Sequence, residues 1–168
     1  GIIAREFKKS KIRLLTEVKV DSVTKRADGL VALALSNGEE VAAEQVLVAA
    51  GRSVNSGDLG LEAVGVRTGR RREVLVNDRM ETNVPGIYAV GDVTGTVMLA
   101  HVASHQGMVA VENIMGGDAR MDYAVVPSAT FTMPEIGSVG LQEQQAKERG
   151  IAVKVGRFPY RGLAQSHT

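Results

Sequence analysis

The sequence predicts an α/β fold, and three of its features carry the prediction. Two short segments, residues 45–50 (QVLVAA) and 87–91 (IYAVG), are continuously apolar, as expected for strands buried on both faces of a parallel sheet. The stretch from Val18 to Val41 reads as antiparallel strands broken by Asp28-Gly29 and Asn37-Gly38, two strong turn dipeptides. From about Met98 to Met115 runs a helix that Gly116-Gly117 stops.

The elements follow in order. Residues 1–9 place Ile2, Ile3 and Phe7 on one face at helical spacing, and Lys8, Lys9 and Lys11 sit where cations suit a helix C-terminus. A strand is expected from Ile12 to Leu15, and then Val18, Val20 and Val23 recur along the opening strand of a meander. Val31, Leu33 and Leu35 alternate with smaller residues in the second strand. Asn37-Gly38 reads as a hairpin turn of the primed type, and Val41 begins the return. Beyond the apolar run 45–50 comes a turn-rich stretch, then a basic turn (Arg67, Arg70, Arg71, Arg72) and a brief strand, VLVND. Without interleaved aromatics the arginines read as a solvated turn rather than a phosphate patch. Asn83-Val84-Pro85-Gly86 is a turn, and Thr94 or Thr96 is placed to cap the long helix. The texture changes from Tyr123 onward. PSATFTMPEIGSVGL is β-rich, LQEQQAKERG is a short polar helix and IAVKVGRFPY is a further strand, so a domain boundary is expected between Gly117 and Pro127.

Bulk composition excludes several functions. Among 168 residues, 20 basic against 19 acidic residues leave a net charge of +1, which gives no electrostatic reason for nucleic acid or a membrane surface as partner. No apolar run is long enough to span a bilayer. The first residues lack the features of a signal peptide, so a soluble, cytoplasmic protein is expected. Cysteine is absent, which removes disulfides, thiolate metal sites and redox thiols from these residues. The chain lacks an initiator Met and ends without a capping signal, and both ends are expected to be cuts within a longer sequence.

The most informative segment is Thr82 to Asp92, T-N-V-P-G-I-Y-A-V-G-D: a turn, an apolar strand, and a carboxylate at the strand's C-terminal end, where ligands of open α/β sheets bind. Glycine at 91 permits close approach of a backbone or ligand, and Asp92 presents two acceptor oxygens to hydroxyl donors. The plainer reading of a bare strand-Gly-Asp string is an aspartate capping the next helix. At its full length, however, the segment resembles the second flavin-contact motif of the FAD and NAD(P) disulfide reductase family. By that resemblance Asp92 holds the ribityl chain of FAD. Met98-Leu99-Ala100-His101 opens the next helix as it does in the dihydrolipoamide dehydrogenase branch, and Ser104-His105-Gln106-Gly107 departs from the acidic residues often found one turn later. His101 is a flavin-side residue on this reading. His105, four positions on, is an ordinary helix residue rather than half of a metal site, because no third ligand lies near in sequence. Residues 46–55, VLVAAGRSVN, resemble the strand that leaves the family's NAD domain, with Val54 where proline is usual. This places Gly51 near the nicotinamide and gives Val18 a backbone contact on the adenine side. Pro127 to Gly140 resembles the start of the dimer-interface domain.

The resemblance covers essentially all 168 residues. It implies incomplete Rossmann-like FAD/NAD(P)-binding domains followed by the start of an α+β interface domain. Residues 1–80 would be the remainder of the NAD-binding domain with its meander, 81–122 a returning part of the FAD-binding domain, and 123–168 the start of the interface domain. The implied cofactors are FAD and NAD. The implied partners are a lipoamide-bearing protein or small dithiol, and a second copy of the parent protein. No GxGxxG loop, Cys-x4-Cys or His-Pro is present, so no catalytic residue is carried over. The implied activity of the parent is oxidation of a dihydrolipoamide dithiol with electron transfer to NAD, the isolated chain being inactive. The alternatives are a mercuric- or glutathione-reductase-like enzyme and a non-catalytic binding and dimerisation module.

Overall fold

The computed structural model describes residues 1–159, and the chain divides into two compact units. The first holds residues 1–53 together with 131–135; the second holds 54–130 and the chain from Ile136 onward.

The first unit opens with α1 (Ile2–Lys9), whose last turn carries Lys8 and Lys9 as expected, with Lys9 paired to Glu6 at 2.7 Å. The expected strand at 12–15 does not form. Lys11 (φ 59°) and Glu17 (φ 60°) both take left-handed backbone angles, which break the extended run at each end. The meander does form, as β1 (Val20–Lys25), β2 (Val31–Leu35) and β3 (Glu40–Ala43), antiparallel in the order β1-β2-β3. Its first strand starts two residues later than the valine pattern suggests, so Val18 lies ahead of it, half-buried. A bulge between Val20 and Ser22 explains the three-residue spacing of the valines. Val20 opposes Leu35 and Val23 opposes Leu33, so with Asp21 as the extra residue both valines share the face of those leucines.

The second hairpin turn corrects the expectation of a primed type, and the first has the same form. Positive φ falls on Gly38 (82°) and on Gly29 (86°), and not on Asn37 or Asp28. The amide of Gly38 donates to Leu35 O, that of Leu35 to Glu39 O, and that of Glu39 to Asn37 Oδ1. This is the three-residue loop in which an ordinary turn is closed by a left-handed glycine, and Arg26 to Leu30 repeats it.

Residues 45–50 are not a buried strand. They have no regular structure, and Leu47 and Val48 are 90% and 81% exposed. A parallel strand exists only against neighbours, and no described residue pairs with this run.

The second unit is held by α2 (Ala100–Ile114), which buries Val102, Gln106, Val109, Ala110 and Asn113 along one stripe. Around it gather Met80 and Met121, flanked by Val76, Tyr88, Val97, Leu99 and Tyr123. Neither Thr94 nor Thr96 caps α2. Leu99 occupies the cap position in extended conformation, while the two threonine hydroxyls donate to Gly91 O and Thr94 O respectively. The C-terminus stops as expected: the Gly117 amide donates to Glu112 O and that of Gly116 (φ 90°) to Asn113 O, a paired closure that needs a left-handed residue. Asn113 completes the corner, donating to Arg79 O and Ala119 O and accepting from the Ala119 amide.

The expected strand VLVND is reduced to one bridge, Thr68↔Val74, because its amides diverge: Val74 donates to Val93 O and Leu75 to Arg67 O. The strand expected at 87–91 is likewise a single antiparallel bridge, Glu81↔Tyr88, half-buried rather than enclosed. Farther on, the β-rich stretch forms β4 (Pro127–Thr130) and β5 (Ile136–Val139), an antiparallel pair, and α3 (Glu143–Glu148) is the expected polar helix. A Gln142–Gln145 capping box opens α3. Residues 151–159 form no strand, having no partner among the described residues, and Tyr160 of that expected strand lies outside them.

Candidate functional site

The segment singled out by its motif is built from the turn upward. Thr82 Oγ1 accepts from the Val84 amide (3.1 Å) and donates to Ile87 O (2.9 Å), closing the loop that Pro85 and Gly86 (φ 81°) reverse. Asn83 anchors that loop, accepting from the Arg67 amide and donating to Gly65 O, both at 2.8 Å. Ala89 then donates to Met80 O, a buried residue itself in left-handed conformation (φ 65°).

Gly91 follows with φ 82° and ψ −158°, a region that glycine alone enters without strain. A Cβ there would also stand 3.4 Å from that of Ala103 on α2. Both polar groups of its backbone are held. Gln106 Oε1 accepts from its amide at 2.6 Å, and its carbonyl accepts from the amide and hydroxyl of Thr94 at 3.0 and 2.8 Å. Asp92 opens a single 3-10 turn, Asp92–Thr94, and is half-buried. Its role as cap of α2 is thereby set aside, since α2 begins eight residues later at Ala100. Met98 and Leu99 precede the helix rather than opening it, Ala100 and His101 form its first turn, and His101 Nε2 lies 2.9 Å from Pro127 O.

Gly91, Asp92, Met98, Leu99, Ala100 and His101 thus lie on one continuous segment leading into α2. Gly51 and Val18 belong to the other unit. Gly51 has φ 117° and nothing within 4 Å of where a Cβ would stand.

Close by, Glu81 accepts from the Asn77 amide group at 2.9 Å and from Arg79 and Tyr88 at 3.4 Å. The Asn77 hydrogen bond, opposed by partial desolvation and reinforced by Arg79, lowers its pKa below the ordinary value. Arg120 is held in its charged form by the hydrogen bond to Asp78 and by the nearby charge of Asp118.

Three residues in this arrangement carry no motif signal: Gln106, Asn113 and Tyr123. Their only trace in the sequence is the helical spacing that puts Gln106 and Asn113 in register with Val102 and Val109 on the apolar stripe.

A family model described as pyridine nucleotide-disulphide oxidoreductase matches residues 1–107, and the model of that family's dimerisation domain matches residues 126–168. The chain belongs to this family, whose members are FAD-dependent oxidoreductases acting with a pyridine nucleotide. Among curated relatives, it is 42% identical over 161 residues to a dihydrolipoyl dehydrogenase of Chlamydia muridarum, covering 96% of this chain and 34% of that protein. It is also 42% identical over 169 residues to a dihydrolipoyl dehydrogenase of Mycobacterium leprae, covering 98% and 36%. The crystal structure of LpdA from Mycobacterium tuberculosis superposes with a TM-score of 0.89 at 30% identity, covering 99% of this chain and 36% of that one. The HOCl-induced flavoprotein disulfide reductase RclA from Escherichia coli, at 22% identity and a TM-score of 0.83, shares the fold. The chain spans about a third of the length of the curated relatives it matches.

The residues present fit a dinucleotide cofactor at one point. The Gly91–Asp92 turn combines a side-chain-free backbone with a half-buried carboxylate, an acceptor suited to polyol hydroxyls.

Proposed function

We propose that the full-length protein is an FAD-dependent dihydrolipoyl dehydrogenase, oxidising a dihydrolipoamide dithiol and passing the electrons to NAD. The observation that carries this reading is the Gly91–Asp92 turn, held from both sides just ahead of α2, in a chain 42% identical to two dihydrolipoyl dehydrogenases. Asp92 accepts hydrogen bonds from the ribityl hydroxyls, and Gly91 lets the backbone come close. Ala100 and His101 supply the first, unpaired amides of α2 to the flavin's pyrimidine edge, where the positive end of the helix favours negative charge. FAD, when bound, supplies two-electron chemistry between a dithiol and a pyridine nucleotide. Gly51 lies at the nicotinamide half of NAD and Val18 makes a backbone contact on the adenine side.

The same reading divides the chain into NAD-domain remainder (1–80), FAD-domain return (81–122) and the start of an interface domain (123–168), and makes the parent a cytoplasmic homodimer. The matched dimerisation domain supports the dimer. No helix among the described residues is long and apolar enough to cross a membrane. For the chain alone, the absence of cysteine favours a binding and dimerisation role without turnover.

The test uses the purified full-length protein. It should reduce NAD with dihydrolipoamide as donor and carry a flavin absorption band. A protein that ignores dihydrolipoamide and reduces glutathione disulfide or mercuric ion instead would overturn the substrate assignment while leaving the family in place.

A further inference from the structure

We infer that Gln106 is a positioning residue of the flavin site: its buried amide holds the Gly91–Asp92 peptide in the conformation that presents Asp92, and Tyr123 in turn orients that amide. The inference rests on the assignment of Asp92 made under the proposed function.

Gln106 is fully buried, at 0% exposure, two turns into α2. Its neighbours on the stripe are Val102, Val109 and Ala110, so packing alone would be met by an apolar side chain of similar volume. An enclosed amide costs free energy unless its donors and acceptors are matched. Here Oε1 accepts from the Gly91 amide at 2.6 Å and Nε2 donates to Tyr123 Oη at 2.8 Å. The Gly91 bond settles which end of the amide faces it, because only the oxygen can accept from a backbone N–H, and the Tyr123 hydroxyl then holds the other end by accepting from Nε2.

The need for such a clamp follows from Gly91 itself. A glycine has the widest conformational range of any residue, so one particular φ/ψ pair must be imposed by its surroundings. Thr94 fixes the carbonyl side of Gly91 and Gln106 fixes the amide side. The ψ of −158° sets where the next peptide, and with it Asp92, is directed. The amide of Gln106 therefore reaches the cofactor only through Gly91 and Asp92.

The experiment titrates FAD into full-length protein stripped of flavin, following the quenching of flavin fluorescence, with thermal melting of the apoprotein in parallel. Gln106→Met removes the acceptor at nearly constant volume and should weaken FAD binding about tenfold. Gln106→Glu accepts from both the Gly91 amide and the Tyr123 hydroxyl, and should rescue affinity to within about twofold of wild type. Tyr123→Phe frees the amide to rotate and should weaken binding about threefold. A Gln106→Met variant that melts lower yet binds FAD as wild type would reduce Gln106 to a core residue and overturn the inference. Should that variant not fold, unchanged affinity in Tyr123→Phe overturns it equally. Asp92→Ala, titrated alongside, separates the two claims. Wild-type affinity there sinks the flavin assignment itself, whereas weakened binding there with unchanged Gln106→Met and Tyr123→Phe sinks only the clamp.

Discussion

Replacing Gly91 by alanine puts the backbone account to a quantitative test. At φ 82° and ψ −158° a non-glycine residue is strained by about 1–3 kcal/mol. The added Cβ would meet that of Ala103 at 3.4 Å, ordinary van der Waals contact, so the backbone angle rather than a collision dominates the cost. A control sits at Gly65, which has φ 74° and ψ 19° and nothing within 4 Å of a Cβ. That is the left-handed helical region, which asparagine tolerates, whereas asparagine gains nothing at the ψ of Gly91. Gly91→Ala and Gly91→Asn should therefore destabilise equally, and Gly65→Asn by about 1 kcal/mol less than either. Urea unfolding of the dilute chain, followed by far-UV circular dichroism and tyrosine emission, reads these differences. Tryptophan is absent, and Tyr88 and Tyr123 both pack against the core, so tyrosine reports its loss. Repeating the titration at two protein concentrations separates unfolding from association. A Gly91→Asn variant as mild as Gly65→Asn, or a neutral Gly91→Ala, would refute backbone strain at Gly91.

Other expectations concern the core, the charged cluster and the chain as a whole. Asn113→Ala removes three hydrogen bonds from a buried side chain and should cost about 2–4 kcal/mol in urea unfolding. Asn113→Asp should do no better, because the lost amide is the donor to two carbonyls. The pKa of Glu81 is lowered by folding, so its contribution is present above the ordinary glutamate value of 4.5 and is lost as pH falls through the lower folded value. The urea midpoint of wild type should accordingly drop more steeply than that of Glu81→Gln as pH is taken below 4.5, and parallel profiles would contradict this. The isolated chain should self-associate, since Leu47, Val48, Phe131 and Met133 are exposed, and should be colourless and without diaphorase activity, since its sequence holds no GxGxxG pyrophosphate loop. Light scattering and a visible absorption scan decide it, and a yellow, active monomer would show the expectation wrong.

Several local signals are legible because the interaction that reads them lies within a few residues, although neither Thr94 nor Thr96 caps α2. The turn dipeptides at 28–29 and 37–38, the Gly116-Gly117 stop and the polar helix after Gly140 all have their partners nearby, and all appear. Asn-Gly is compatible with two loops, and the pairing of Leu35 with Glu39 selects the longer rather than the primed turn. Apolar runs at 45–50 and 87–91 read as buried strands, yet a strand needs partners that local sequence does not contain, and here the first run is irregular and the second a single bridge. The sequence likewise shows that Asp92 follows a glycine but cannot show that Gln106 reaches back fifteen residues to hold that glycine. A polar residue in register with Val102 and Val109 was the one available hint.

The role of Asp92 as a flavin ligand is tested most directly by the dissociation constant of FAD from full-length Asp92→Ala. Losing a carboxylate that accepts from a buried ligand costs about 1.5–3 kcal/mol, or roughly tenfold to a hundredfold in affinity. The variant should therefore purify with substoichiometric flavin and rebind it with a dissociation constant raised by that factor. A variant that keeps a full complement of FAD at wild-type affinity would contradict the assignment.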